Sequence, residues 1–212
     1  MTARERPILF SGPMVRAILD GSKTQTRRII KNSGDMEFDS NDPYFGPYWE
    51  DYAVGGATGE DCKVHCPYGY PGDRLWVRET WAPEREGTGC PDDTGILYRA
   101  TDPGWDDEDT GLRWRPSIFM PRTASRILLE VTDVRVQRLQ EISEDDAREE
   151  GAKELSLQEG EPGAWWSAAP GRQFHSRTPR GAFLRLWRSI HGEGSWDANP
   201  WVWVITFRRL QP

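Results

Sequence analysis

The sequence predicts an α+β fold, a mixed β-barrel of about six strands with two or three flanking helices and long loop insertions. Three observations support this class. Strand-like segments outnumber helical segments, the two kinds do not alternate regularly along the chain, and turn-rich stretches separate most of the strands. The 212 residues are enough for one sizeable domain, and we interpret 1–212 as a single domain.

The first three predicted elements lie within thirty residues of the N-terminus. The short apolar run "PILFSG" (7–12) ends in a glycine and predicts a strand. The segment "PMVRAILDG" (13–21) begins with a proline and ends with a glycine, which predicts a short helix. The segment "TQTRRII" (24–30) predicts a second strand, in which Thr26 and Arg28 lie on the same face.

The middle of the chain predicts two further strands, at 72–81 and 95–100, from their alternating patterns. Two other segments, 32–70 and 153–177, are rich in turn-forming residues and show no sustained period. We interpret each of them as a loop insertion.

The longest strand-like segment, 124–139, contains a predicted irregularity. Its apolar residues up to Val131 face one way, whereas Val134 takes the opposite parity. A strand that changes its inward face in this way predicts a bulge near Thr132 and Asp133.

The last three predicted elements are two helices and a closing strand. The helix at 142–152 has Ser143 as its cap and Gly151 as its stop. The helix at 178–192 begins with a threonine cap followed by proline and carries an apolar stripe, and the closing strand is at 199–210.

Composition restricts the class of protein and the kind of partner. The formal net charge is -7, yet residues 1–31 and 163–212 each carry a charge of +5, which is compatible with a local polyanion or nucleotide ligand but not with a broad duplex-DNA surface. An ordinary solvated mixture of charges is the alternative interpretation.

The cysteine content and the hydropathy indicate the compartment. Three cysteines suggest no disulfide framework, and no apolar run approaches the roughly 20 residues that span a bilayer. We therefore expect a cytoplasmic protein without a membrane partner, most simply a monomer.

The stretch "GSKTQTRR" matches the pattern G-x-K-x-x-T-x-R and lies between a predicted helix and a predicted strand. Downstream, in order, come "GDRLWV", "SEDDAREEG" and "WVWVITFR". This ordered set resembles the ASCH domain family, which has a PUA-like β-barrel fold. The segments "PGDRLWVRETW" and "MPR" followed by "ASRI" are most similar to the longer, phage- or prophage-type members.

The resemblance implies a link to RNA and to modified nucleosides. Some family members are amidohydrolases that remove the acetyl group from acetylcytidine without a cofactor, and others have been described as RNA-binding regulators or ribonucleases. The working residues of the amidohydrolases carry over to Lys23, Thr26 and Glu150 of this sequence, with Glu149 as an alternative to Glu150. This chain is about twice as long as the small amidohydrolases, so its extra loops could reshape the pocket.

The chemistry of these residue types is consistent with amide hydrolysis. Threonine becomes a nucleophile only when a base removes its proton, and lysine can be that base if burial or neighbouring cations lower its pKa. Arg27 and Arg28 are neighbouring cations of Lys23. A glutamate in the last turn of a helix opposes the helix dipole, which favours its protonated form and marks Glu150 as a candidate proton donor. The simpler interpretation is that these are ordinary turn, strand and surface residues.

Other residues are candidates for binding the substrate. Arginines bind phosphates or base edges, a tryptophan stacks on a base, and a second carboxylate follows the Gly-Asp turn. Arginines at such positions are also common partners in surface salt bridges, and tryptophans are common in cores. The candidates are Arg28, Arg78, Arg122, Trp81 and Glu79.

No metal site is predicted. Cys62, His65 and Cys66 lie close together, but they do not form the paired four-ligand spacing of a zinc site. His175 and His191 have no partner at catalytic spacing.

The sequence thus leads to two hypotheses. One is a cofactor-free amidohydrolase acting on an N-acylated pyrimidine nucleoside or modified base. The other is a non-catalytic module that binds RNA or a modified nucleotide. A ribonuclease is a further alternative, although no histidine pair of the usual acid/base kind is present.

Overall fold

The computed structural model describes residues 3–31, 53–55, 61–63, 66–83, 95–102, 112–155, 164–168 and 175–210. Within these ranges the chain forms an α+β fold with three α-helices and four β-sheets, which confirms the predicted class. Each predicted helix is present, with its ends within three residues of the expected positions. None of the helices in these ranges has the length and apolar character needed to cross a membrane.

The elements follow one another in this order. They are β1 (Glu5–Leu9), α1 (Gly12–Leu19), β2 (Gln25–Ile29), β3 (Ala53–Gly55), β4 (Asp61–Lys63), β5 (Arg74–Arg78), β6 (Trp81–Pro83), β7 (Ile96–Tyr98), β8 (Leu128–Arg138), α2 (Glu144–Glu149), β9 (Lys153–Leu155), β10 (Trp165–Ser167), β11 (His175–Ser176), α3 (Pro179–His191) and β12 (Trp201–Leu210). Short 3₁₀ turns at Ser117–Phe119 and Arg122–Ala124 precede β8.

The main sheet has five strands in the order β1-β5-β8-β12-β2. β1 and β5 are parallel, and every other neighbouring pair in this sheet is antiparallel. β1 and β2 are therefore the two edges of the sheet, although they are neighbours along the chain and are joined through α1.

The two edges of the main sheet approach each other. A flat sheet of five strands would separate its edges by roughly 19 Å. In the structure, however, the Arg28 guanidinium on β2 donates a hydrogen bond of 2.7 Å to the carbonyl of Leu9 at the end of β1. The sheet must therefore curl strongly, and a side chain bridges its edges in the described part of the chain.

The predicted irregularity in β8 is confirmed. Thr206 of β12 pairs with Asp133, but the next residue, Phe207, pairs with Val131, so Thr132 is the extra residue of a bulge. The bulge turns Val134 to the same side as Val131, and both are buried in the main core. The change of parity in the sequence thus has a direct structural cause.

The two faces of the main sheet are buried in different ways. One face, with α1, forms the larger core and includes Ile8, Phe10 and Ile205. On the other face, Val202 and Val204 of β12 pack against residues of α2 and α3. α2 contacts β2, and the Phe183 ring of α3 lies 5.9 Å from the Arg27 guanidinium of β2, so both helices lie near this edge of the sheet.

The two segments interpreted as loop insertions contain short strands. Within 153–177, β9, β10 and β11 form a three-stranded antiparallel sheet, so this segment is more ordered than the sequence suggested. Within 32–70, β3 and β4 pair in antiparallel fashion, and much of this segment lies outside the described residues. That either segment is an insertion remains a prediction.

Candidate active site

Lys23 is placed by a tight turn between α1 and β2. Gly21 has a φ of +81°, a conformation that glycine adopts without strain. The turn brings the Lys23 backbone N–H to the carbonyl of Ala17 (3.0 Å) and the Thr24 N–H to the carbonyl of Glu149 (2.8 Å). Lys23 is consequently only 2% exposed and lies against the end of α2.

Glu150 is placed by the capping signals of α2. Ser143 caps the helix, and its hydroxyl and the Asp146 carboxylate exchange reciprocal hydrogen bonds with each other's backbone N–H groups. Glu150 is the residue that ends the helix, and Gly151 follows with a φ of +102°. A Cβ at Gly151 would lie 3.4 Å from the Cβ of Lys23, so the glycine allows the helix end to pack closely on the lysine.

A buried cluster of four charged groups joins β2 to α2. The Lys23 ammonium donates hydrogen bonds to the Glu150 carboxylate (2.6 Å), the Glu150 carbonyl (2.9 Å) and the Gln25 carbonyl (2.8 Å). Arg27 forms ion pairs with Glu150 at 3.4 Å and with Asp146 at 3.1 Å. Two buried cations thus face two carboxylates, and the more exposed Arg135 also contacts Asp146, at 2.6 Å. The Lys23 ammonium has an acceptor for each of its three protons.

Burial lowers the pKa of Lys23, and the Glu150 carboxylate partly opposes this effect. The nearby guanidinium groups of Arg28 and Arg27 lower the pKa of Lys23 further. The direction and the causes are those expected from the sequence. The lysine therefore has a weaker hold on its proton than a solvent-exposed lysine would have.

Thr26 follows Gln25, whose carbonyl accepts a hydrogen bond from Lys23. Bond geometry then places the ammonium at most about 5.4 Å from the backbone nitrogen of Thr26. Thr26 is 3% exposed and pairs with Ile205 of β12, on the side of the sheet that forms the larger core. The Phe10 ring lies 5.9 Å from the Lys23 ammonium and 5.2 Å from the Arg28 guanidinium, so it lies near both cations of the motif.

A cavity of about 450 Å³ opens beside these residues, within the range of small-molecule sites. It lies between the two edges of the main sheet, the start of α1 and one side of α3. Leu9 and Ile190, which are 37% and 51% exposed, lie where it meets solvent. The wall includes Thr26, Arg28, Glu150, Phe10, Ser11, Met14, Phe183, Leu186, Trp187 and His191.

The open edge of β2 also faces this cavity. Backbone hydrogen bonds from Phe207 to Thr24 and from Ile30 to Trp201 show that the even-numbered residues of this strand bond to β12. In an antiparallel edge strand, the alternate residues direct their backbone groups away from the neighbouring strand. The N–H of Arg27, a residue that lines the cavity, is therefore directed to the open edge beside Thr26.

Of the predicted catalytic residues, Thr26 and Glu150 line the cavity, and Lys23 lies directly behind Glu150. Glu149 is exposed and accepts a hydrogen bond from the side chain of Gln25 at 2.8 Å. The geometry therefore favours Glu150 over Glu149 as the carboxylate of this site.

Among the predicted binding residues, Arg28 lines the cavity, and the others have different partners. Arg78 donates to the carbonyl of Met120 at 3.0 Å. Arg122 forms an exposed ion pair with Glu5 at 2.8 Å. Arg122 thus has the surface salt bridge that the alternative interpretation expected, whereas Arg78 donates to a backbone carbonyl.

Glu79 and Trp81 belong to another part of the structure. The Glu79 carboxylate is 1% exposed and accepts two hydrogen bonds from Arg126, at 3.0 and 3.1 Å. Burial raises the pKa of Glu79, and Arg126 opposes this effect. Trp81 is buried in a small cluster with Tyr98 and Met120, so it acts in core packing rather than as an open stacking platform.

The structure describes only part of the group formed by Cys62, His65 and Cys66. The side chains of Cys62 and His65 lie outside the described residues. Cys66 is buried, and burial raises the pKa of its thiol to about 11, which disfavours the thiolate that binds metals. Across the described ranges, no group of three potential metal ligands occurs.

Two cavity residues, His191 and Ser11, were not predicted to belong to the site. His191 is the last residue of α3, and its ring lies 4.2 Å from that of Trp187, one helical turn earlier. Ser11 caps α1 without a capping hydrogen bond from its side chain. For His191 a signal existed, because it lies four residues after a member of the apolar stripe of α3.

Comparisons of the chain with protein-family models, with curated proteins and with solved structures gave no match.

Proposed function

We propose that this protein is a cofactor-free amidohydrolase that removes the acyl group from an N-acylated pyrimidine nucleoside or a similarly modified base, as in acetylcytidine. The observation that carries the proposal is the 2.6 Å contact between the Lys23 ammonium and the Glu150 carboxylate at the wall of a cavity that Thr26 also lines. A nucleophile, a base and a proton donor for amide hydrolysis are thus held together.

The proposed fold is the PUA-like barrel of the ASCH domain family. The curl of the main sheet supports it, since the Arg28 side chain links the two edge strands at 2.7 Å. The motif residues Lys23 and Arg28 lie beside the Phe10 ring, and Thr26 lines the same cavity as Phe10 and Arg28, as expected if the motif builds the pocket.

The first step is acyl transfer to threonine. In this step Lys23 passes a proton to Glu150 across the 2.6 Å contact, which frees the amine to act as a base. The amine of Lys23 takes the hydroxyl proton of Thr26, directly or through one water, while the threonine oxygen bonds to the acyl carbon. The carbon–nitrogen bond breaks as Glu150 gives its proton to the leaving amine.

The second step is hydrolysis of the threonine ester. Water attacks the acyl carbon and loses a proton to the Glu150 carboxylate, and the Lys23 ammonium returns a proton to the departing threonine oxygen. Glu150 then returns its proton to Lys23 across the 2.6 Å contact, so both side chains regain their starting protonation. The products are a carboxylic acid and the free amino group of the base. In both steps the backbone N–H of Arg27 is the candidate donor to the negative oxygen.

The test is deacetylation of acetylcytidine by the purified protein. We expect Thr26→Val, Lys23→Met and Glu150→Gln each to reduce kcat by about 10²-fold or more. Thr26→Ser, which retains a hydroxyl, should keep measurable activity. Glu149→Gln and Lys153→Met are matched controls outside the cavity and should behave like the wild type. No turnover by the wild type, or turnover that Lys23→Met leaves unchanged, would reject the hydrolase.

One observation favours the alternative function, a module that binds a modified nucleotide or RNA without changing it. The Lys23 ammonium has an acceptor for each proton, which also suits a purely structural ion pair. This alternative predicts salt-dependent binding of an RNA or nucleotide that Arg28→Ala weakens, and recovery of the ligand unaltered after prolonged incubation.

A further inference from the structure

The end of the cavity near Arg28 has groups that the hydrolysis mechanism does not use. Arg28 lies two residues beyond Thr26 on the same face of β2, so its Cα is about 7 Å farther along the strand. One terminal nitrogen of the Arg28 guanidinium donates a hydrogen bond to the carbonyl of Leu9, and the guanidinium carbon lies 5.2 Å from the centre of the Phe10 ring. The Arg28 Nε is buried and makes no hydrogen bond to the described residues.

His191 lies at the same end of the cavity. It ends α3, stacks on Trp187 and lines the wall together with Arg28. Burial lowers the pKa of His191, and the charge of Arg28 lowers it further, so the two groups are close enough to repel each other as cations. The other charged groups of this cavity, Arg27 and Glu150, are engaged in the buried cluster.

The start of α1 contributes a third kind of donor. Ser11 lines the cavity, and its hydroxyl makes no capping hydrogen bond to the helix. The amino end of a helix favours an anion because its backbone N–H groups and its dipole are directed outward. An arginine, a histidine and a serine at a helix start thus converge on one end of the cavity.

We propose that Arg28, His191 and Ser11 form a subsite for a phosphoryl group, so that the preferred substrate is an N-acylated nucleotide rather than the free nucleoside. An anion here pairs with the Arg28 guanidinium, which lines the cavity, and relieves the repulsion between the two cations. The inference rests on the proposed function for the identity of the base, but binding of the phosphoryl group can be measured without turnover.

The test compares cytidine with cytidine 5′-monophosphate by calorimetry. We expect the nucleotide to bind about tenfold or more tightly, as a charge-assisted hydrogen bond predicts. His191→Gln and Ser11→Ala, both exposed and therefore compatible with folding, should each remove most of this advantage while leaving cytidine affinity unchanged. His175→Gln is the matched control, since His175 is an exposed histidine on β11 outside the cavity.

The pH dependence of nucleotide binding gives a second test of the subsite. Phosphate binding favours protonated His191, so the affinity ratio of wild type to His191→Gln for the nucleotide should rise as the pH falls from 8 to about 6. Taking the ratio at each pH removes the titration of the phosphate itself. A ratio that stays constant over this range would overturn the role of His191.

The outcomes separate the subsite from the hydrolase. Equal affinity for cytidine and its monophosphate overturns the subsite, even if acetylcytidine is hydrolysed. Tighter nucleotide binding without turnover of any acylated ligand supports the subsite and rejects the hydrolase. A short RNA that binds while the mononucleotide shows no advantage also overturns the proposal, because the phosphate recognised would then belong to an RNA strand.

Discussion

Removing Glu150 should destabilise the protein more than removing both Glu150 and Lys23. Glu150→Gln leaves the buried Lys23 ammonium without its carboxylate partner and leaves Arg27 with Asp146, which Arg135 also contacts. Breaking a buried pair from one side costs about 3–5 kcal/mol. For a chain of this length, a loss of about 3 kcal/mol lowers Tm by roughly 6–12 °C.

The double variant Lys23→Met/Glu150→Gln restores the balance, because Arg27 keeps its ion pair with Asp146 at 3.1 Å. If the two single effects were additive, the double variant would lose their sum. We expect it to be about 2–3 kcal/mol more stable than that sum predicts. Urea unfolding of the wild type, both single variants and the double variant measures this coupling.

The matched control is the exposed ion pair between Lys153 and Asp20. Its coupling should be at most about 1 kcal/mol, since solvent screens such pairs. If the Lys23–Glu150 coupling is no larger than this control, the cluster does not behave as a buried unit, and the basis for a weakly held proton on Lys23 is lost.

Three further predictions concern the surroundings of the site. Burial alone would raise the pKa of Asp146, but Arg27 and other donors hold it below its ordinary value. The Asp146 carboxylate therefore stabilises the fold at pH values above its pKa in the unfolded chain, and this stabilisation is lost as the pH falls through its pKa in the folded protein. In Asp146→Asn, the free energy of unfolding should depend less on pH below about pH 4 than it does in the wild type. Gly151→Ala should cost about 1–3 kcal/mol in urea unfolding, because an alanine is strained at a φ of +102°, and it should reduce turnover, because the strained turn lies against Lys23, with the new Cβ 3.4 Å from the Lys23 Cβ. Arg122→Ala should change Tm and activity negligibly, since its ion pair with Glu5 is exposed; a large loss of activity would return Arg122 to the site.

The sequence was most informative where structure is decided locally. The Ser143 cap, the Gly151 stop and the bulge at Thr132 each follow from a few neighbouring residues, and all three are present. Capping and strand parity depend on short-range hydrogen bonds and on the two-residue period of a strand. For the same reason, the motif placed Lys23 and Thr26 near each other without knowledge of the rest of the fold.

Features that depend on distant contacts could not be predicted in this way. The three strands β9, β10 and β11 are only two or three residues long, too short for a periodic pattern to be recognised. His191 reaches the cavity because α3 packs across the sheet that carries β2, which is a tertiary arrangement. The pairing of Glu79 with Arg126, 47 residues away, likewise depends on how the chain returns.

The unfavourable position of Glu150 has a physical explanation in these distant contacts. A carboxylate at the end of a helix opposes the helix dipole, yet Lys23 supplies a cation at that end and hydrogen-bonds the Glu150 carbonyl as well as its carboxylate. The lysine thus completes the helix end, and the same contact holds the proton proposed for catalysis. Folding and chemistry depend on one ion pair, so a single substitution in it cannot separate them. The double variant Lys23→Met/Glu150→Gln can: it should fold, bind an acylated pyrimidine at the Thr26 wall and release it unchanged.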